Sequence, residues 1–492
     1  MQEALRITRE LFDKWNESGI CYCHWKSNEH LYEGLIGKTD LDVLVKASER
    51  EKAEKILSSL NYVNMKSQYG SRYQDVTDWI GCDIDTGNLI HIHLHFKLLT
   101  GHKGLKEYDL PFETEVLNTR VFNKAYSVYT TDPNYEIILL MTRIVLKASF
   151  KRIVLSKTGR FSLSDSDKRE IAYLIDNIDE SRFDLLCRQF FSEDAIDFKN
   201  VVLTPNYDSQ WFSKMSHMIK SHIPYRNRYG AFSIVYRPYM LLSIYARSAL
   251  RKYLQACIIT KKVPNKGMVV AFIGQDGAGK STVSDNIKKW LTWKIDAQKF
   301  YLGSGDHYTS LQKILRKRMH GRNKIVSAFK NLLTVSDLKK ISRVGLQKIT
   351  KARKYADNGG IAIFDRYPQK QYPGINDGPK IRDRAESLKL PVSIKKILMR
   401  SAAKEEAYIT QSVSIEPDLV IKMILEPEES IRRKPQERIE DVRKKHEVIK
   451  NLEFTKAEVI TVRADMDFDE EIRLIRATIW NHLVSIQGRK VL

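Results

Sequence analysis

The sequence comprises 492 residues, of which 42% are hydrophobic and 29% are charged. This composition is typical of a soluble globular protein, and the length predicts about two to four domains. No uncharged apolar run is long enough to span a bilayer, and the N-terminus shows an amphipathic helix pattern instead of a signal peptide. The five cysteines lack zinc-site spacing and predict reduced thiols. We therefore expect a cytoplasmic protein.

The formal net charge is +22, and much of the excess positive charge lies in residues 313–354. Such a basic segment attracts polyanions, so we expect it to contact a phosphorylated substrate or an anionic membrane surface. The second of these would place the protein peripherally at the inner membrane face. A solvated basic surface is the plain alternative, and nucleic acid is the least favoured partner.

Residues 1–130 alternate helix and strand patterns, which predicts an α+β domain. The apolar run 41–45 predicts a strand, and residues 48–60 predict the helix after it. Two further strands, 81–84 and 89–96, flank a cluster of turn residues and predict a hairpin.

Two groups of polar side chains fall on these predicted strands. Asp40 and Asp42 are two positions apart, so their carboxylates point to the same side of a strand and can share Mg²⁺ ions. Capping a turn at the start of the strand is their alternative role. His91, His93 and His95 also share one strand face. They either bind a metal or line a pocket as hydrogen-bonded histidines, and periodicity alone does not choose between these roles.

The Lys-Ser pair at 26–27, followed by the Asp-x-Asp strand at 40–45, is similar to the signature of nucleotidyltransferases related to polymerase beta. The resemblance implies a nucleotidyltransferase-like domain over residues 1–130, with a second Mg²⁺ site at the two aspartates. That family places a third carboxylate on a later strand, for which Asp83 and Asp85 are the candidates. Both an active transferase and a substrate-binding domain without activity are compatible with this resemblance.

Residues 131–262 predict a helical region that ends in a basic linker. The apolar spacing of three and four in 135–141 is typical of a helix. Residues 236–254 mix aromatic, aliphatic and basic side chains, which favours either a helix packed in a core or a helix lying on a membrane surface. The Pro-Asn-Lys-Gly stretch at 264–267 predicts the boundary before the next domain.

The most specific motif is Gly-Gln-Asp-Gly-Ala-Gly-Lys-Ser at 274–281, which matches the phosphate-binding pattern G-x-x-x-x-G-K-[ST]. A buried strand over 268–273 precedes it, and a helix over 281–291 follows it. Glycines let backbone N–H groups converge on a phosphate, and the positive end of the helix adds to the attraction. In this pattern Lys280 reaches the β- and γ-phosphates and the Ser281 hydroxyl ligates Mg²⁺.

Three further predicted strands follow in the order that a nucleotide kinase requires. Residues 360–364 form an apolar run that ends in Asp-Arg-Tyr, where a carboxylate can hold Mg²⁺ and an arginine can stabilise a transferring phosphoryl group. Residues 417–425 predict another strand, and the cationic segment 432–438 follows it as a lid. A short strand at 458–462 and a helix at 470–483 complete the pattern.

Together the loop, the Asp365-Arg366-Tyr367 triplet and the Pro-Asp-Leu strand with its arginine-rich lid resemble the thymidylate kinase family of P-loop kinases. The resemblance covers residues 267–492 and implies a P-loop NTPase fold, an α/β architecture with a parallel sheet and helices on both faces. It also implies ATP and Mg²⁺ as cofactors. The residues implied to bind ATP are Gly274, Asp276, Gly277, Ala278, Gly279, Lys280, Ser281 and Thr282.

The same resemblance assigns the remaining roles. Ser281 and Asp365 would serve Mg²⁺, and Asp276 would lie near the acceptor. Catalytic roles are implied for Lys280, Asp365, Arg366 and Arg433, with Arg432 and Arg438 as further lid residues. The acceptor would contact Arg343, Arg366 and Tyr367.

These patterns predict an ATP- and Mg²⁺-dependent kinase that transfers the γ-phosphate to a nucleoside monophosphate or to a related sugar or glycan acceptor. At the place of the family's acceptor element the sequence has residues 300–307 and then the basic segment, so the acceptor pocket is expected to differ. The alternatives are a bifunctional kinase–nucleotidyltransferase in surface-glycan or nucleotide-sugar metabolism, and a nucleotide-gated module that binds an anionic partner. The sequence does not determine the oligomeric state.

Overall fold

A computed structural model describes all of the chain except residues 1–2, 68–74, 103–104, 149–155, 157, 255–257, 303–323, 376, 388–390 and 489–492. The described residues form two compact units, unit 1 (Met1–Ala246) and unit 2 (Arg247–Leu492). One hydrophobic core joins Trp25 and Leu44 to apolar residues of the predicted helical region. The division into three domains, with a separate helical region, stays a prediction.

Unit 1 contains a mixed sheet and a small antiparallel sheet. The strands of the mixed sheet, in spatial order, are β3 (Val63–Met65), β4 (Val76–Cys82), β5 (Leu89–His95), β2 (Leu41–Val45), β1 (Tyr22–His24), β9 (Val128–Thr130) and β8 (Val121–Asn123). The small sheet contains β10 (Arg226–Asn227), β7 (Tyr108–Leu110) and β6 (Leu98–Thr100). The predicted hairpin is present as β4 and β5, although β4 begins earlier than the pattern indicated.

The helices of unit 1 flank these sheets and fill the region that the sequence predicted to be helical. They are α1 (Arg6–Glu17), α2 (Leu31–Leu35), α3 (Arg50–Ser59), α4 (Glu113–Asn118), α5 (Pro133–Leu146), α6 (Asp165–Asn177), α7 (Glu180–Phe191), α8 (Ala195–Leu203) and α9 (Ser209–His222). Helix α10 (Ser233–Leu254) extends across the boundary between the units. Helix α5 starts where the Asp132 carboxylate accepts the Asn134 N–H, with Pro133 at a position that needs no donor.

Strand β2 shows how the sequence positions one polar site. Leu41, Val43 and Val45 point into a hydrophobic core, and alternation therefore turns Asp42 to the opposite face. In the parallel pairing of β2 with β5, Asp42 lies opposite His93. The antiparallel pairing of β4 with β5 places Asp78 on the other side of His93. Three adjacent strands thus bring these polar side chains together on one sheet face.

Unit 2 is built on a parallel sheet. Its strands, in spatial order, are β12 (Ala297–Phe300), β13 (Ile361–Phe364), β11 (Met268–Gly274), β14 (Leu419–Ile424) and β15 (Glu458–Arg463). Each neighbouring pair in this order is parallel. The helices of this unit are α11 (Lys280–Thr292), α12 (Lys324–Asp357), α13 (Ile381–Ser387), α14 (Val392–Ser414), α15 (Pro427–Arg433), α16 (Ile439–Asn451) and α17 (Phe468–Gly488). The α/β class expected for the C-terminal part is confirmed.

The order of these strands determines where a ligand can bind. From β11 the chain first adds strands on one side of the sheet and later, with β14 and β15, on the other. Ligands of open parallel sheets bind at such a switch point, outside the carboxyl ends of the strands. Val269 and Ala271 of β11 pack in a core with Tyr355 of α12 and Leu452. Packing in this core fixes strand β11, and with it the position at which the following loop begins.

Within the described ranges, no helix is both long and apolar enough to cross a membrane. Helix α10 nevertheless exposes large apolar side chains. Val235, Leu242 and Tyr245 are 71%, 68% and 72% exposed, respectively. In the described parts of the chain most large apolar side chains are buried in the cores, so this exposed apolar stripe on α10 is a distinct surface feature.

Candidate functional site

The loop between β11 and α11 has the backbone of a phosphate cradle. Gly277 and Gly279 adopt φ values of 89° and 77°, a left-handed conformation in which a side chain would be strained. Gly279 is also the N-cap of α11 and offers no side chain to cap the helix. The first N–H groups of α11 therefore point toward the loop with no side-chain cap, the arrangement that binds phosphate at helix N-termini.

Lys280 lies folded over this loop. Its Nζ donates a hydrogen bond to the backbone carbonyl oxygen of Gln275 at 2.8 Å. Burial lowers the pKa of Lys280 to about 8, Asp276 partly opposes this effect, and the positive charge of Arg366 adds to it. The ammonium group is thus held in a poorly solvated position where a phosphate would be a strong partner.

Gln275 anchors the loop to the next strand. Its side chain is buried, and its amide group donates to the carbonyl oxygen of Leu425, directly after β14. His446 of α16 also donates to that carbonyl oxygen when its Nδ1 is protonated, at 3.1 Å. Among the described residues, Gln275 Oε1 has no hydrogen-bond partner. The loop is therefore fixed by side chains while one buried acceptor is left unsatisfied.

Ser281 and Asp365 meet beside the loop. The Ser281 hydroxyl donates to Asp365 Oδ2 at 3.4 Å, and Lys299 Nζ lies 3.5 Å from the same oxygen. The Asp365 side chain is 3% exposed, and its Oδ1 finds no hydrogen-bond partner in the described part of the chain. A hydroxyl and a carboxylate with an unsatisfied oxygen are hard donors of the type that Mg²⁺ prefers. These residues therefore fit the magnesium ion implied by the sequence.

Helix α15 covers the other side of the loop. Ser430 Oγ donates to the backbone carbonyl oxygen of Asp276 at 2.7 Å, and Arg433 Nη1 donates to that of Gly277 at 3.4 Å. The Asp276 carboxylate pairs with Lys445 Nζ at 2.7 Å, a partner that the sequence analysis did not identify. Although burial opposes it, this bond lowers the pKa of Asp276.

The two other lid candidates make local ion pairs instead. Arg432 pairs with Glu429 at 2.7 Å, and Arg438 pairs with Glu440 at 2.9 Å. Arg433, by contrast, donates both to Glu429 and to the loop carbonyl oxygen of Gly277. Its closeness to Gly277 distinguishes it from Arg432 at the adjacent position.

A cavity opens beside the Asp-Arg-Tyr triplet. It has about 580 Å³ of empty volume, open solvent included, and lies between α12 and α14. Arg366 and Tyr367 line it together with aliphatic side chains of both helices. Ser342 also lines it, whereas Arg343 is exposed on α12 and is not part of the lining. The predicted acceptor role of Arg343 has no support from this cavity and stays a prediction.

The segment that the sequence analysis singled out as an altered acceptor region is only partly described. Residues 303–323 lie outside the described part of the chain, and with them lies the first part of the basic segment. The second part begins α12, from Lys324 onward. The cavity is lined by Leu302, which precedes residues 303–323 in the chain, and by Leu338 of α12, which follows them.

A second polar cluster occupies the sheet face of unit 1. His91 Nδ1 lies 2.9 Å from Asp40 Oδ1, and His93 Nδ1 lies 3.2 Å from Asp42 Oδ1. Asp78 Oδ1 lies 3.0 Å from Nε2 of both His91 and His93. The predicted residues are thus brought together with a third carboxylate that comes from β4.

This third carboxylate is not one of the two candidates that the sequence suggested. Asp83 ends the hairpin strand, where its carboxylate accepts the backbone N–H groups of Ile7 and Thr86. Asp85 pairs with Arg6 at 2.8 Å. Both are turn residues at the hairpin end, outside the cluster. Asp78 could have been found by extending the predicted hairpin backward, because its register places it opposite His93.

The charges of this cluster are strongly coupled. Lys26 Nζ lies 2.9 Å from Asp42 Oδ1. Burial opposes ionisation of Asp42, but Lys26 and the neighbouring histidines lower its pKa well below the ordinary value. Burial lowers the pKa of His95 to about 3, so this imidazole is neutral. Ser27, in the turn beside Lys26, has a left-handed backbone with φ of 57°.

Comparison with known proteins adds a separate line of information. No protein-family model matches the chain. The chain is similar to the Escherichia coli K12 protein named uncharacterized ATP-binding protein YghR, with 24% identity over 216 residues, 41% of this chain and 82% of YghR. It is also similar to uncharacterized ATP-binding protein YghS of the same strain, with 25% identity over 228 residues, 43% of this chain and 93% of YghS. Both relatives are named for ATP binding.

Proposed function

We propose that unit 2 is an ATP- and Mg²⁺-dependent phosphotransferase of the thymidylate kinase type. The observation that carries the proposal is the loop over 274–281, with left-handed glycines, a helix start without a side-chain cap, and Lys280 bonded to the carbonyl oxygen of Gln275. The names of the two Escherichia coli relatives support ATP as the bound nucleotide. The proposed reaction transfers the γ-phosphate to a nucleoside monophosphate or to a related sugar or glycan acceptor.

In this proposal the chain contributes positioning and positive charge. The loop N–H groups and Lys280 hold the phosphates, and Arg433 reaches the loop from α15. Ser281 and Asp365 would hold Mg²⁺, which supplies further positive charge to the transferring phosphoryl group. Arg366 lines the cavity that would take the acceptor. Such an enzyme needs no covalent intermediate, because stabilisation of charge and in-line positioning account for most of the catalysis.

The cavity narrows the class of acceptor. Its walls include Leu338, Ile341 and Ile409, so an acceptor with an apolar or flat surface would be well packed there. Arg366 provides a cationic group at the same cavity and suits a phosphate or carboxylate of the acceptor. A nucleoside monophosphate has both features, and so does a phosphorylated sugar with an apolar substituent.

Replacement of the loop lysine tests the proposal. Lys280→Ala should lower the rate of γ-phosphate transfer by about 10²–10³-fold, the cost of removing one preorganised charge from such a site. The matched control is Lys288→Ala on the exposed side of the same helix, which should keep the rate of the natural protein. A folded Lys280→Ala protein with undiminished transfer would refute the proposal.

Unit 1 supplies a second candidate function, nucleotidyl transfer, which would make the protein bifunctional. The observation in its favour is that Asp40, Asp42 and Asp78 lie on one sheet face, as a carboxylate site for two Mg²⁺ ions requires. Release of pyrophosphate from a nucleoside triphosphate should then be lost in Asp40→Ala and kept in Lys280→Ala. Absence of pyrophosphate release in the natural protein would leave unit 1 a binding domain.

The third candidate, a nucleotide-gated module on an anionic partner, draws on α10. This helix contains no acidic residue, and it exposes Val235, Leu242 and Tyr245. Basic and apolar side chains on one helix suit the surface of an anionic membrane. The distinguishing measurement is ATP hydrolysis with and without anionic vesicles, because this module would hydrolyse ATP only in their presence and would phosphorylate no acceptor.

A further inference from the structure

Three possible ligand atoms converge in the cluster of unit 1. Asp42 Oδ1 lies 3.2 Å from His93 Nδ1 and 3.3 Å from His95 Nε2. One ligand atom from each of these residues lies within 4.8 Å of the other two. The side chains of Asp42 and His95 are 14% and 0% exposed, respectively. The three side chains therefore form a largely buried cluster on the face of the sheet, and not a group of exposed acids at the surface.

His93 lies between two carboxylates. Its Nε2 lies 3.0 Å from Asp78 Oδ1, and its Nδ1 forms a hydrogen bond with Asp42 Oδ1 at 3.2 Å. An imidazolium donates one N–H group to each carboxylate, whereas a neutral imidazole with its N–H at Nε2 has a lone pair at Nδ1. A divalent cation bound between His93 and Asp42 would therefore take the place of the Nδ1 proton.

His95 provides the second, independent observation. Both of its ring nitrogens are buried, and neither has a hydrogen-bond partner among the described residues. The approach of its Nε2 to Asp42 therefore does not have the geometry of a hydrogen bond, although the distance is short. The Trp25 ring packs against this imidazole with centroids 5.3 Å apart and fixes its orientation. An unpaired buried imidazole directed at a carboxylate has the arrangement of a metal ligand.

The spacing also agrees with coordination geometry. Metal–ligand bonds of roughly 2.0–2.1 Å in a tetrahedral site separate neighbouring ligand atoms by about 3.3 Å. The separations of Asp42 Oδ1 from His93 Nδ1 and His95 Nε2 have this value within 0.1 Å. We propose that Asp42, His93 and His95 bind a divalent transition-metal ion of the Zn²⁺, Co²⁺ or Fe²⁺ class.

The ligand set determines the selectivity of this site. Imidazole nitrogens favour transition metals, whereas Mg²⁺ takes oxygen ligands in near-octahedral geometry. Three protein ligands leave one tetrahedral position open for water or substrate. Asp78 accepts the Nε2 N–H of His93 and so holds the tautomer that coordinates through Nδ1, a common arrangement around metal-bound histidines. The site therefore differs from the carboxylate-only Mg²⁺ site of the second candidate function.

Lys26 would compete with the metal ion for the Asp42 carboxylate. Its ammonium group lies 2.9 Å from the same Asp42 oxygen, so it must move when a divalent cation binds. Lys26→Met removes this competing charge and keeps all three ligands. The variant should bind the ion more tightly than the natural protein does, by about tenfold if the full ion pair is lost on binding.

The test uses the full chain after treatment with a chelator and dialysis. Co²⁺ or Zn²⁺ is then titrated in the presence of excess Mg²⁺, with bound metal measured by elemental analysis and Co²⁺ coordination by its visible spectrum. We expect one ion per chain and a tetrahedral Co²⁺ spectrum. Asp42→Asn and His95→Phe should weaken binding by at least about 100-fold. His102→Gln should not, because His102 pairs with Glu107 at 2.6 Å instead.

Several results would overturn the proposal. These are failure of the natural protein to bind Co²⁺ or Zn²⁺, displacement of the ion by equimolar Mg²⁺, and equal binding by His95→Phe. Loss of binding in Lys26→Met, which retains the ligands, would also contradict it. Lys280→Ala should lose phosphate transfer while keeping the ion, so the metal site and the proposed phosphotransfer can fail independently.

Discussion

The polar groups of the two sites find their hydrogen-bond and ion-pair partners in different ways. In unit 2 the loop offers backbone N–H groups and a lysine, while Gln275 Oε1 and Asp365 Oδ1 have no hydrogen-bond partner among the described residues. In unit 1 the carboxylates of Asp42 and Asp78 contact imidazoles or an ammonium group at 3.3 Å or less. The first site is built largely from backbone, and the second from side chains on adjacent strands.

This difference indicates what each site can accept. A loop that presents backbone N–H groups and a lysine suits a polyanion that brings its own acceptors, because the N–H groups gain partners on binding. A cluster in which carboxylates already face imidazoles suits a small cation that replaces protons or an ammonium group. Single substitutions at each site can show whether the two sites are distinct in this way.

The largest effect is expected at Asp365. Asp365→Asn removes the buried negative charge beside Ser281, so Mg²⁺ would lose a ligand and phosphate transfer should fall by about 10²–10³-fold. Asp285→Asn is the matched control, because Asp285 pairs with the same Lys299 but its side chain is 65% exposed. Comparison of kcat at saturating Mg²⁺ for the two variants measures the effect. An equal loss in both variants would mean that Lys299, rather than the metal, is what matters.

The pH dependence of the proposed reaction should be governed by Lys280. Burial lowers its pKa to about 8, so the free protein loses this positive charge as the pH rises above that value. We expect kcat/KM for ATP to fall by about tenfold per pH unit above the pKa, because kcat/KM reports the free enzyme. The plateau of kcat should extend to higher pH, since bound phosphates stabilise the ammonium form. A kcat/KM that is flat to pH 10 would contradict this assignment.

A smaller effect is expected at Ser430. Its hydroxyl holds the loop through the carbonyl oxygen of Asp276, and a typical hydrogen bond contributes about 1 kcal/mol. Ser430→Ala should therefore raise the KM for ATP by about fivefold and leave the fold intact. Ser485→Ala is the control, because that hydroxyl bonds to a carbonyl oxygen of its own helix. A KM unchanged by Ser430→Ala would show that α15 does not support the loop.

The smallest effect is expected from a change in unit 1. His95→Phe should alter phosphate transfer by less than about twofold, because the proposed transfer depends on unit 2 alone. The same preparation should lose the proposed transition-metal ion. If His95→Phe abolished phosphate transfer in a protein that still folds, the two sites would be coupled and the comparison would fail.

Local patterns were sufficient to predict much of unit 2. The strand expected at 268–273 is β11 over Met268–Gly274, and the strand expected at 360–364 is β13 over Ile361–Phe364. Both are continuous apolar runs, the signal that parallel strands buried on both faces give. The loop motif also predicted a strand before it and a helix after it, and both elements are present. The roles of the loop residues stay predictions.

Partners that depend on register or on distant helices were missed. Asp78 contacts His93 because β4 pairs with β5 in one particular register, and the strand predicted at 81–84 began after Asp78. Lys445 reaches Asp276 from a helix more than a hundred residues further along the chain. The expectation for Asp83 and Asp85 was wrong for the same reason, because their nearness to the predicted strand did not reveal that both serve the hairpin turn.

The most direct test of the central claim is a phosphoryl-acceptor screen with γ-labelled ATP and Mg²⁺, using nucleoside monophosphates and sugar or glycan acceptors. The Lys280→Ala protein serves as the blank. We expect label on one acceptor class, with transfer that depends on Lys280. Label on dTMP would indicate the acceptor of the family that unit 2 resembles, and label on a sugar or glycan alone would indicate a changed acceptor pocket. No labelled product and no Lys280-dependent hydrolysis of ATP would contradict the proposed phosphotransferase.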